Sequence, residues 1–163
     1  MGGNKMEKIS SFRDEYRFLS NFYQYPFEFK GLVYPNAEAA FQAQKCSTDK
    51  EKIKYTTQKN PVRAKQMGKK EPNLPDNWDE ISYKIMEDIL HSKFQISELA
   101  EKLKSTGNAY LEEGNHWHDN RWGKCTCLAV RTVWIIGTDG YSRPPFPFFQ
   151  RLQFDRKVTV LEA

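Results

Sequence analysis

Residues 34–45 read YPNAEAAFQAQK, and the rest of the chain is best approached outward from them. Asn36 is a natural N-cap, after which Ala37, Ala40, Phe41 and Ala43 fall on one side at the helical period. Glu38, Gln42 and Lys45 fall within about 60° of one another on the opposite side. The stretch predicts a short helix with one apolar face and one face that gathers a carboxylate, an amide and an amine.

Upstream, the chain alternates and is rich in aromatics. KISSF, PFEF and LVY read as short strands, the last two joined by a tight hairpin at Lys30-Gly31. Between the first two, RDEYRFLSNFY reads as a loop whose rings pack on the core. Downstream, NPVRAKQMG predicts a short basic helix with Asn60 as cap, Pro61 in the first helical position and Gly68 as the stop. WDEISYKIMEDILHSKF predicts the main core helix, capped by Asp76 or Asn77, with Trp78, Ile81, Ile85, Ile89 and Phe94 on its buried stripe. SELAEKLKSTG adds a helix capped by Ser97 and ended by Gly107, after which NAYLEEGNHWHDNRWG reads as a loop. LAVRTVWII and VTVLEA look like strands on either side of the proline-rich GTDGYSRPPFPFF.

A chain of 163 residues, 39% hydrophobic and 28% charged, is long enough to bury a core as one soluble domain. No internal repeat or linker divides it, so one domain over residues 1–163 is expected. No apolar run approaches a membrane span, MGGNKMEKISS lacks the apolar centre of a secretory signal, and three cysteines make no disulfide framework. A cytoplasmic protein without a membrane partner is the expectation. The net charge of +4 is concentrated: Lys50 to Lys70 holds eight basic residues and one acid, leaving about −3 for the remainder. That patch reads either as a pair of solvated helix faces or as a contact surface for phosphate or nucleic acid.

Several chemistries find little support. His116, His118, Cys125 and Cys127 number four, as a tetrahedral zinc requires, but His-x-His and Cys-x-Cys are tighter than the usual spacers. No nucleophile elbow occurs, Cys46 reads as a small core residue, and the nine glycines form no phosphate-binding loop. Carboxylates are left. Glu38 lies beside Gln42 and Lys45, while Asp119 lies between Trp117 and Trp122, whose rings can limit its hydration. Two acids among aromatic rings fit cleavage of a bond to ribose. Its transition state is oxocarbenium-like and is stabilised by a carboxylate, or captured by a water that a carboxylate activates. Either acid taken alone also reads as a solvated surface residue.

EYRFLSNFY, YPNAEAAFQAQK, NWDEISYKIM followed by HSKF, and HDNRWG occur in this order. In order and spacing they resemble the NADAR family, the YbiA-like N-glycosidases, over about Phe12 to Gly123, or 112 of 163 residues. The resemblance implies an α+β, mostly helical single domain with a few short N-terminal strands. It implies hydrolysis of N-ribosidic bonds without metal or organic cofactor, with two substrate classes: ADP-ribose on modified guanine bases, and ribosylamino pyrimidine phosphates of riboflavin synthesis. Carried over by motif, Glu38, Trp78 and Asp119 are the expected catalytic residues. Phe18, Asn21, Phe22, Gln42, Lys45, Trp122 and Gly123 are the expected substrate-binding residues. Glu38 or Asp119 would activate water or stabilise the ribosyl cation, Trp78 would stack on or wall the ligand, and Lys45 would meet phosphate or a ribose oxygen.

After Gly123 the pattern changes. The family continues with a glycine-rich segment and a closing helix bearing Leu-Gly and Met-x-x-x-Arg patterns, whereas KCTCLAVRTVWIIGTDGYSRPPFPFF has neither. Residues 124–163 are therefore an atypical C-terminal segment, which keeps open a module that binds ADP-ribose or modified nucleic acid without cleaving it.

Overall fold

A computed structural model of the chain describes residues 8–115, 122, 124 and 125. They fall into two compact units, Arg13–Gly107 and the described parts of Met1–Phe12 with Asn108–Ala163. Within these residues the mix of helices and short strands is the α+β arrangement expected. No helix among them is long and apolar enough to cross a membrane.

In the larger unit the hairpin forms as expected. β2 (Phe27–Phe29) pairs antiparallel with β3 (Leu32–Tyr34), Phe27 facing Tyr34 and Phe29 facing Leu32. Its two-residue turn needs φ > 0 at both positions, and Lys30 and Gly31 supply φ of 50° and 78°. Phe27, Phe29 and Tyr34 are buried while Glu28 and Val33 are exposed, so alternation sends one face inward.

RDEYRFLSNFY differs from the expected loop: Asp14–Leu19 forms a 3-10 helix. Phe18 and Leu19 are buried, so backbone groups near them must be paired locally, and the bonds Tyr16 N–H to Arg13 O and Ser20 N–H to Arg17 O do this. Of the rings expected to pack on the core, Phe18 is buried, Tyr16 and Tyr23 are half-buried and Phe22 is exposed.

Asn36 caps α1 (Ala37–Ala43), its side chain accepting from the Ala39 N–H at 2.9 Å while its amide donates to the Lys59 carbonyl. The apolar face is buried as its pattern implies, but so is the polar one, against the reading of Glu38 as a solvated surface residue. All seven residues are buried, because α2, α3, α4 and β3 all pack on the helix. Lys45 lies just past its end, with its N–H still turned back to the Gln42 carbonyl.

α2 (Asp49–Thr56) opens with a capping box between Thr48 and Glu51, a pattern hidden in the sequence by the surrounding charge run. α3 (Pro61–Gly68) starts as expected, Asn60 accepting from the Val62 and Arg63 N–H groups. Gly68, however, is the last helical residue and not a left-handed cap, since Lys69 is the cap residue and Gly68 has no positive φ.

α4 has the expected span, Trp78–Phe94, but its buried line is Trp78, Ser82, Met86, Ile89, Leu90 and Lys93. Ile81, Ile85 and Phe94 of the expected stripe are only half-buried. The stripe is rotated because the helix turns a small serine and a lysine inward, and the lysine finds partners there. Asn77 is the cap residue without a side-chain cap bond. α5 (Ser97–Ser105) likewise corrects the expected cap: Ile96 holds that position and Ser97 is already helical, while Gly107 closes the helix with φ 54° as expected.

In the smaller unit β1 (Lys8–Ile9) pairs in parallel with β4 (Tyr110–Leu111), and β5 (Gly114–Asn115) with β6 (Lys124–Cys125). The stretch read as a loop thus carries short strands, and Glu112, buried within it, is met by Lys8 at 2.6 Å. The strands expected in residues 128–136 and 158–163 lie outside the described residues.

Asn36→Ala removes a helix cap and a second buried hydrogen bond together, and is expected to lower unfolding free energy by about 2 kcal/mol. Urea denaturation of both proteins checks this; a change under about 0.5 kcal/mol would mean the cap does not hold α1 in place.

Candidate active site

Glu38 lies in the first turn of α1, where Asn36 starts the helix and the Asn21 carbonyl accepts the Glu38 backbone N–H at 3.0 Å. Its residue exposure is 6%, and Gln42 one turn later, at 4%, donates from Nε2 to Glu38 Oε1 at 2.9 Å. An i,i+4 pair on a helix surface is ordinary; here both members are inside. A buried carboxylate stays charged only when hydrogen bonds and nearby cations replace water.

The other acceptor in this pair is costly. Gln42 Oε1 is buried without a hydrogen-bond partner among the described residues, as is Asn21 Oδ1. An orphaned acceptor costs about 1–3 kcal/mol, while a bond to a charged group contributes about 1.5–3 kcal/mol. The two nearly cancel, so Gln42 adds little net stability. What it supplies is a defined orientation for the Glu38 carboxylate, and unsatisfied groups of this kind gather at functional sites.

Lys45 completes the polar set. Its Nζ donates to the Gly68 carbonyl at 3.3 Å and stands 5.5 Å from the centroid of the Trp78 ring. Burial holds its ammonium below the ordinary lysine range; the carboxylates of Glu38 and Glu71 oppose that shift, and Lys65 and Lys69 add to it. Trp78, 9% exposed, also packs on Phe41 with ring centroids 5.3 Å apart. The ring is therefore part of the core, with a cation near it.

The structure brings Glu38, Gln42, Lys45 and Trp78 together, and Asn21 joins them through its backbone. Phe18 is buried edge-to-face against Phe94 at 6.4 Å, and Phe22 is 37% exposed on the same short loop as Asn21. Trp122 is half-buried in the smaller unit. Asp119 and Gly123 lie outside the described residues, as do His116, His118 and Cys127 of the four-ligand cluster. Among the described residues no group of His, Cys, Asp and Glu is placed to hold a metal.

Lys93 was missed by sequence reasoning. It is 1% exposed, donates from Nζ to the Ser20 carbonyl at 2.8 Å, and lies over the Phe94 and Tyr23 rings at 5.1 and 6.0 Å. It thereby ties down the loop that carries Asn21 and Phe22. The signal was present, since Lys93 is one turn beyond Ile89, but the periodic reading counted only apolar residues.

A second polar cluster has another use. Glu71 accepts from the Tyr55 hydroxyl and pairs with Lys54 at 2.6 Å, joining α2 to the segment after α3. Burial, and then the Glu71 charge, push the Cys46 thiol up to about 11, so it stays protonated at neutral pH. Such a thiol is no nucleophile, in line with its reading as a core residue.

A buried, oriented carboxylate beside a partly desolvated lysine and an aromatic wall is suited to stabilising positive charge on a sugar ring. Comparison with known proteins points the same way. The NADAR domain family matches residues 9–131. N-glycosidase YbiA of Escherichia coli (strain K12) is 32% identical over 117 residues, covering 68% of this chain and 73% of that protein. N-glycosidase YbiA of Shigella boydii serotype 4 (strain Sb227) is 33% identical over 112 residues, covering 68% and 69%. The NMR structure of the E. coli protein YbiA superposes with a TM-score of 0.63 at 30% identity, over 76% of this chain and 74% of that one. The chain belongs to the NADAR family.

Proposed function

We propose that this protein is an N-glycosidase that hydrolyses an N-ribosidic bond, and that its substrate is a guanine base carrying ADP-ribose. The observation that carries the reading is Glu38: a carboxylate buried on a fully covered helix, oriented by Gln42 and set beside Lys45 and Trp78. The N-glycosidase YbiA relatives support an N-glycosidic bond as the target.

The reaction breaks the C1′–N bond and forms a C1′–O bond to water; the proton the water loses passes through the carboxylate that activates it and ends on the departing nitrogen, which restores the carboxylate. Positive charge develops on C1′ and the ring oxygen, and a carboxylate fixed before the reaction stabilises it without reorganising. Glu38 fills that role, and the resemblance to the family makes Asp119 the second candidate acid. Trp78 walls the ligand, and Lys45 meets a phosphate or ribose oxygen. No metal or organic cofactor takes part in this scheme.

A phosphate-rich substrate suits the charge of α2 and α3. Lys52 and Lys54 are engaged by Asp49 and Glu71, but Lys50, Lys59, Arg63, Lys69 and Lys70 are exposed. Exposed cations near a site raise the local concentration of polyanions, nucleic acid included.

Incubation with an ADP-ribosylated guanine oligonucleotide, and separately with a ribosylamino pyrimidine phosphate, is expected to release product from the first, followed by mass spectrometry. Glu38→Gln and Asp119→Asn should each lower the rate by at least about 100-fold. Release from the pyrimidine alone would reassign the substrate, and binding without release from either would make the protein a recognition module.

Lys45 predicts the pH dependence. It is needed protonated to hold an anion, and its folded value lies below 10.5, so kcat/KM should fall as pH rises through a midpoint under 10.5. Arginine keeps its charge across that range, so Lys45→Arg should move this limb upward whatever its absolute rate. An unmoved limb would remove Lys45 from the binding step.

A further inference from the structure

Gly68 is the last residue of α3, is buried, and has no positive φ, so its backbone does not require glycine. Glycine is also a poor helix residue. Its reason is space. A Cβ built at position 68 would lie 1.8 Å from Gln42 Oε1, 2.6 Å from Gln42 Cδ and 2.9 Å from Gln42 Cβ. The last contact matters most, because turning the amide alone cannot relieve an overlap that reaches the root of the side chain.

We propose that Gly68 is a positioning residue for the candidate active site: α3 presses its bare Cα against the Gln42 amide and so fixes the donor that orients Glu38. With the amide held on one side by Gly68, Gln42 Nε2 meets Glu38 Oε1 at 2.9 Å and Oε1 is left without a hydrogen-bond partner. The same residue meets a second site side chain, since its carbonyl accepts from Lys45 Nζ at 3.3 Å. Any side chain at 68 must either push Gln42 off Glu38 or lift α3 from α1, and both disturb the carboxylate and the amine together. The inference rests on Glu38 being the working carboxylate.

The test compares wild type, Gly68→Ala, Gln42→Gly and the double variant on whichever substrate the wild type cleaves. Gly68→Ala should lower kcat by at least about tenfold, because the Glu38 carboxylate that Gln42 orients acts in the transition state. In the double variant all three clashing atoms are gone, so its kcat should equal that of Gln42→Gly within about twofold. A general packing defect would instead add to the effect of Gln42→Gly. An activity-independent arm follows the Gln42 side-chain amide by nitrogen-15 NMR, assigned by its loss in Gln42→Gly. The signal should shift in Glu38→Gln and shift also in Gly68→Ala. If the wild type cleaves neither substrate, the N-glycosidase reading fails while this signal still decides the role of Gly68. A Gly68→Ala protein with wild-type kcat or an unmoved Gln42 signal overturns the proposal. Should Gly68→Ala not fold, a double variant that folds and matches Gln42→Gly upholds the proposal, and one that does not fold overturns it.

Discussion

Keeping a carboxylate oriented inside a helix that has no exposed face is the constraint on which the other features of the site depend. α1 is surrounded by α2, α3, α4 and β3, so Glu38 cannot turn to bulk water. Its environment must be supplied by the fold: the Gln42 amide one turn on, the Lys45 ammonium past the helix end, and the Asn21 carbonyl that pins the first turn. Each of these is itself held. Asn36 caps the helix, Lys93 fixes the Ser20 carbonyl next to Asn21, and α3 closes on Gln42. Orphaned acceptors on Gln42 and Asn21 show that the arrangement is not optimised for stability.

Aromatic packing serves the same end. Trp78 begins α4 and lies against Phe41 of α1, so one contact both docks two helices and sets a ring near Lys45. Truncating Trp78 would open a cavity and move a cation at once.

Much of this was legible before any coordinates. The Asn36 cap, the Lys30-Gly31 hairpin, the Asn60-Pro61 start of α3 and the span of α4 are local chemistry, and local chemistry does not depend on what packs nearby. Glu38, Gln42 and Lys45 share one side of a helix by period alone. Periodicity within α1 could not reveal that this side is covered too, because its burial depends on the packing of other elements, α3 and α4 among them far along the chain. For the same reason Lys93 escaped notice and the buried line of α4 was misplaced: polar residues turned inward are invisible to a count of apolar ones. Gly68 was read as a helix stop, its commonest use, whereas its value here is the room it leaves for Gln42. Asp119 stands on the resemblance, since it lies outside the described residues.

If the buried carboxylate of Glu38 itself assists cleavage of the ribosidic bond, its removal should be open to chemical rescue. Glu38→Ala leaves space where the carboxylate was, and formate can occupy it. This variant should release base at least about 100-fold more slowly than wild type, and added formate should restore part of the rate in a saturable way. A Glu38→Ala protein that is folded and cleaves substrate at the wild-type rate without formate would contradict this role of Glu38.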